Sequence, residues 1–304
     1  MRKEMNMKKQ TLYAILGVVV IMLACTFGAG TPAAPTQVQE DPVGTVVAAT
    51  MQAMLTASPI GVVPTQVPTQ INETTGSSCE NVSFVIPSEL ASGMTPEAVP
   101  AADENSGAPW EAAPAHVKCT LTGYRLQGKF HEPTIYVYPA DEYAQAQSGV
   151  AEQIDRLKKI LAGSTPMKET LPNVPFFNAA PAIAANIKLT PFQNGNGVRT
   201  LTEYAQYYAP INNHELFYHF QGLTSDNKYY IIAILPITAP ILAEDEKPEA
   251  PVPSGGVPIP TGVGPDEVYY TSVTQKLNAL PPDSYAPSLN TLDALIQSIQ
   301  VTNP

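Results

Sequence analysis

Apolar and polar residues alternate along Val117-Lys118-Cys119-Thr120-Leu121-Thr122, the period of two that a half-buried strand presents to a core. The alternation puts Cys119 on the inward side. Val82 to Ile86 and Thr134 to Tyr138 are further short strands, ended by Pro87 and Pro139. Beyond Pro139 the period changes. Val150, Ile154, Leu157 and Leu161 fall at helical spacing, opposite Glu152, Gln153, Asp155, Arg156, Lys158 and Lys159, so one helix with a wet face is predicted, bearing Ala144 as well and capped by Asp141. Val198 to Tyr208, Glu215 to Thr224 and Lys228 to Ile237 are rich in aromatic and β-branched residues, and Ser225-Asp226-Asn227 predicts a tight turn joining the last two as an antiparallel hairpin. Two helices close the chain, Glu267 to Leu280 and Pro287 to Val301. The second starts at Pro287 and carries the stripe Leu289, Leu292, Leu295, Ile296 and Ile299. Polar stretches at 88–114 and 243–265 are expected as exposed insertions. The pattern is that of one α+β domain over residues 79–304, an antiparallel β-sheet flanked by helices.

The first 24 residues follow another logic. Arg2, Lys3, Lys8 and Lys9 outweigh Glu4 and precede an apolar run from Leu12 to Leu23, the order of parts of a signal peptide. That run is shorter than the roughly 20 residues a membrane-crossing helix needs. Met22-Leu23-Ala24-Cys25 then resembles the lipobox of bacterial lipoproteins, with Met22 where the family prefers leucine. The resemblance implies cleavage before Cys25, a diacylglycerol on its thiol and an acylated amine. At about 0.8 kcal/mol per buried CH2, two or three chains hold firmly, placing the protein on the extracytoplasmic face of a cell membrane. An uncleaved anchor and plain secretion are the alternatives. Thr26 follows the cysteine, where some lipoproteins retained at an inner membrane carry aspartate.

Residues 25–78 are expected to form a disordered stalk. The stretch is built of Pro, Thr, Gln, Ala and Val, and has no aromatic residue after Phe27, so it buries too little apolar surface to offset its ordering entropy. Three Pro-Thr-Gln units, starting at Pro35, Pro64 and Pro68, favour extended spacing. Within it Val47, Met51, Met54 and Leu55 fall at helical intervals, which allows a short amphipathic helix from Val46 to Ala57.

Composition narrows the functions. The net charge is -11, and loss of the signal's four cations and one anion leaves the mature chain more negative by three. A polyanion neither neutralises phosphates nor releases their counterions, so nucleic acid is excluded as a partner. Of three cysteines, lipidation of Cys25 leaves Cys79 and Cys119. In an oxidising compartment that pair is expected to form a disulfide.

A strand ended by proline, the strand-to-helix passage Tyr136-Val137-Tyr138-Pro139, a meander of long strands and the closing phrase Leu295-Ile296-Gln297-Ser298-Ile299 together resemble the PsbP-like fold, over roughly Cys79 to Val301. The resemblance implies an α/β/α sandwich, and it brings no catalytic motif.

The candidate chemistry is sparse. His214-Glu215 followed by His219 suggests a zinc hydrolase, but that site needs histidines at i and i+4 on a helix, and here the second is at i+5 in a segment that favours a strand. Ordinary histidines are expected, and no metal. Asn194-Gly195-Asn196-Gly197 is followed by a strand instead of a helix, so a hairpin turn with glycines at positive φ is expected instead of a phosphate loop. No Gly-x-Ser-x-Gly elbow occurs. The acids Asp141-Glu142 and Glu244-Asp245-Glu246 lack the alternating oxygen ligands and mid-loop glycine of a calcium loop. Tyr204, Tyr207, Tyr208, Tyr218, Tyr229, Tyr230, Tyr269 and Tyr270, with Arg199, Glu203, Gln206 and Gln221, are candidates for a recognition surface, though at least half of the rings belong to the core.

Two function classes follow. The first is a non-enzymatic, lipid-tethered module that holds or assembles an envelope protein partner, without a cofactor. The second is a small-molecule-binding or enzymatic domain whose site is assembled from distant residues. A polar pocket with a perturbed carboxylate or histidine marks the second, a shallow tyrosine-bearing patch the first.

Overall fold

The computed structural model describes residues 75–302, apart from 104, 106, 248 and 261–265. The signal, Cys25, all but the last residues of the stalk, and the 46–57 helix lie outside the described residues.

Seven strands make the main sheet, every neighbouring pair antiparallel: β3 (Gly93–Val99), β4 (His116–Thr122), β5 (Thr134–Pro139), β11 (Tyr229–Pro236), β10 (Phe217–Thr224), β8 (Gly195–Thr202) and β7 (Ala185–Phe192), in that spatial order. A second sheet joins β1 (Thr75–Cys79), β2 (Val82–Ile86) and β12 (Gln300–Val301). A third pairs β6 (Ala180–Pro181) with β9 (Tyr204–Ala205). The helices are α1 (Ala140–Ala146), α2 (Val150–Leu161), α3 (Glu267–Ala279) and α4 (Leu289–Gln297).

Both faces of the main sheet are covered, which is why its central strands read as nearly unbroken apolar runs. Tyr230, Ile232 and Ile234 of β11 pack with Val150, Ile154, Leu157 and Ile160 of α2. Ile231, Ala233 and Leu235 alternate to the other face and pack with Val273 and Leu277 of α3, the α4 stripe, and Phe84 and Ile86 of β2. The β10–β11 hairpin forms with the expected turn, Leu223 opposite Tyr230. The disulfide joins Cys79, at the end of β1, to Cys119 in β4, and so fastens the small sheet to the large one. Both cysteines are fully buried.

Several local expectations change. The first strand starts at Thr75, within the expected stalk, where it pairs along the whole of β2. The 88–114 stretch is not all loop, since β3 within it forms the edge of the main sheet. Most of its side chains are exposed and Pro96 interrupts it, so no period of two is visible. The single helix after Pro139 is two, broken at Gly149, whose φ is +92°. Pro139 occupies the cap position assigned to Asp141. The final helix is shorter than expected. Ser288 caps it by accepting from the Thr291 amide, and Gln300 and Val301 leave it to pair with β2.

The glycines of Asn194-Gly195-Asn196-Gly197 serve another purpose than the expected positive φ. The turn itself is Gln193-Asn194, and Gly195 and Gly197 already belong to β8. The Phe192 ring lies over the first and the Phe220 ring over the second, in the space a Cβ would take. Among the described residues no helix is long and apolar enough to cross a membrane.

Candidate functional site

The chain leaving β8 carries Glu203, and the loop before β10 carries Asn212, Asn213, His214 and Glu215. Asn212 organises the two. Its amide and Nδ2 donate to Glu203 Oε2, at 3.0 and 3.4 Å, while its own Oδ1 accepts from the amides of His214 and Glu215. Asn213 ties in a third segment, donating through Nδ2 to the carbonyls of Ala239 and Leu242 and accepting from the Ala239 amide. The Asn213 amide also bonds the Ala243 carbonyl at 2.8 Å. That fixes the stem of the 244–246 acids beside His214 and Glu215. One side-chain oxygen or nitrogen from each of His214, Glu215 and Glu246 lies within 4.8 Å of the others.

Glu203 sits beneath this cluster with no exposed surface, and its Oε1 has no hydrogen-bond partner. Burial pushes its carboxyl well above the usual carboxylate range. The Asn212 amide opposes that shift, whereas the charges of Glu215 and Glu246 reinforce it.

Next to the acids lies a cleft of about 430 Å³, walled by Tyr207, Tyr208, Tyr269 and Tyr270, with Glu246, Lys247 and Asp266 among its polar residues. Hydrogen bonds hold its back wall. The Tyr269 hydroxyl accepts from the Ile211 amide at 3.0 Å, and the Tyr270 hydroxyl donates to the Ala209 carbonyl at 2.9 Å. Burial raises both phenols to about 12. Asp266 caps α3 through the Tyr269 amide. Glu246, Lys247, Ile259 and Pro260 supply the front wall, and Lys276 of α3 donates to the Gly256 carbonyl, just before the last two, at 3.0 Å. Tyr207 and Tyr208 stand out between this cleft and a second groove of about 310 Å³ beside Pro181 and Ala182. They are 66 % and 58 % exposed.

The structure therefore divides the sequence candidates. Tyr207, Tyr208, Tyr269 and Tyr270 come together, but Tyr218 and Tyr230 are core residues. Tyr230 donates to Gln221 Oε1 at 2.6 Å, and Tyr218 to Asp293 at 2.9 Å. Arg199 is buried in an ion pair with Asp293. His219 is buried in β10 with its Nε2 on the Val174 carbonyl at 3.0 Å. It contributes nothing to the His214 cluster. The sequence gives no sign that Glu246 meets His214, because 31 residues and a hairpin separate them. Consecutive asparagines before His214 were the available hint, since such side chains bond neighbouring backbone in turns.

No protein-family model, curated protein or solved structure matches the chain.

Proposed function

We propose that the chain is a lipid-anchored extracytoplasmic module, held at the membrane through Cys25, that grips a segment of an envelope protein across the Tyr207-Tyr208 ridge. The ridge carries the proposal: two exposed rings flanked by two grooves suit an extended segment that lays a side chain on either side. Glu246, Asp266 and Glu267 around the grooves, against Lys168 and Lys247, leave a mixed polar rim that suits a segment with charges of both signs. A small polar ligand in the 430 Å³ cleft is the second proposal, favoured by the buried Glu203 beside it. The sheet with helices on both faces supports the PsbP-like assignment of the fold.

Two variants in the native host test the proposal. Cys25→Ser should leave the membrane fraction, and its retention there would end the lipid-anchor assignment. Affinity capture with the wild-type chain should recover one stoichiometric envelope protein that Tyr207→Ala/Tyr208→Ala loses. Equal capture by both chains, or none by either, would dismiss the ridge as its site.

A further inference from the structure

We propose that Glu203, His214, Glu215 and Glu246 bind one divalent transition-metal ion. Four features converge on this site, which goes beyond the binding module and does not depend on the tyrosine ridge.

The first is geometry. Ligand atoms of His214, Glu215 and Glu246 lie within 4.8 Å of one another. Neighbouring ligands about a tetrahedral metal with bonds of about 2.1 Å are separated by roughly 3.4 Å, so side-chain rotations that move each atom by about an ångström close the site. All three side chains are half-buried.

The second is the orphaned oxygen. Glu203 has no exposed surface, one of its carboxyl oxygens is held by Asn212, and the other has no partner. The charges of Glu215 and Glu246 act directly on that carboxyl, which places it beside the cluster. Buried polar groups are ordinarily bonded, and an orphaned carboxyl oxygen beside other acids calls for a proton or a cation.

The third is unbalanced charge. The neighbouring acids have cations of their own, Glu244 with Lys129 at 3.9 Å and Asp245 with Lys247. Among the described residues no lysine or arginine makes an ion pair with Glu203, Glu215 or Glu246.

The fourth is support from behind. Asn212 bonds Glu203 and the backbone of His214 and Glu215 at once, and Asn213 fixes the stem leading to Glu246. Partners that orient the ligands in this way are part of what makes a metal site.

The donor set selects the ion. Calcium and magnesium take oxygen ligands, whereas imidazole suits zinc and its transition-metal neighbours. One imidazole with three carboxylates fits Zn2+ or Mn2+. Because Glu246 also lines the tyrosine cleft, the bound ion would stand at the edge of that cleft.

Titration calorimetry on the full chain, stripped by a chelator, tests the site with Zn2+, Mn2+, Ca2+ and Mg2+. One equivalent of Zn2+ or Mn2+ should bind. His214→Ala, Glu246→Gln and Glu203→Gln should each weaken binding by at least about tenfold, and the neighbouring variants Glu244→Gln and Asp245→Asn should not. The wild-type melting temperature, which needs no variant, should rise on adding the same ion. Absence of saturable binding below about 1 mM, equal losses in the neighbouring variants, or Ca2+ binding as tightly as Zn2+ would each overturn the proposal.

Discussion

Arg199 of β8 meets Asp293 of α4 at 3.2 Å, and both side chains are only 6 % exposed. Asp293 also receives Lys188 at 2.8 Å and the Tyr218 hydroxyl at 2.9 Å, so one carboxylate joins α4 to three strands of the main sheet. Arg199 further donates to the Asn186 carbonyl, and its guanidinium lies over the Tyr218 ring.

Removing one partner of such a pair strands the other charge in the interior. Asp293→Asn keeps the shape and deletes the charge, and should cost about 3–5 kcal/mol. Glu152→Gln, which breaks the exposed pair with Arg156 on α2, should cost no more than about 0.5 kcal/mol. Urea unfolding of the two variants compares them. Similar midpoints would mean that the buried pair does not tie α4 to the sheet.

This pair also shows what the sequence conceals. Arg199 read as a candidate for a recognition surface because arginine and tyrosine cluster near it, yet its partner lies 94 residues away, in the apolar stripe of a helix. Local periodicity carried most of the architecture: the hairpin, the inward Cys119, the α3 segment and the buried α4 stripe all follow from spacing. It failed for β3, an exposed edge strand, and for the break at Gly149, where one amphipathic pattern continues through two helices. The site was less legible. Four of the eight tyrosines named as candidates form the cleft, but the convergence of Glu203, His214, Glu215 and Glu246 depends on Asn212 and Asn213 bonding separate segments together, which no spacing rule encodes.

The Cys79–Cys119 bridge spans 40 residues and connects the two sheets. In the chain-entropy description a loop of that length restrains the unfolded state by about 4 kcal/mol. Cys79→Ala/Cys119→Ala should therefore lower the stability by about that amount. Reduction of the wild-type chain should shift its urea midpoint by an equal measure. An unchanged midpoint on reduction would mean the bridge contributes little.

Stability should pass through a maximum with pH, because two kinds of buried group titrate with opposite sign. Burial lowers His131 and His219 to about 4, the proximity of His214 adding to the shift at His131. In the unfolded chain both rings take up protons below about 6.5. Between those values the unfolded state binds more protons, so their contribution is complete above about pH 6.5 and is lost as pH falls towards 4, by up to about 1.4 kcal/mol per pH unit for each ring. Glu203 acts in the other direction. Its folded carboxyl holds the proton well above the range in which the unfolded one releases it, so each pH unit above about 4.3 costs the fold up to about 1.4 kcal/mol until the folded group ionises. In chelator-treated protein Glu203→Gln should flatten this alkaline decline and leave the acid limb unchanged, whereas His219→Gln should soften the acid limb alone. Urea unfolding from pH 4 to 9 resolves both limbs. A wild-type profile that rises steadily to pH 9, or a Glu203→Gln profile parallel to it, would show that Glu203 is already ionised in the folded chain.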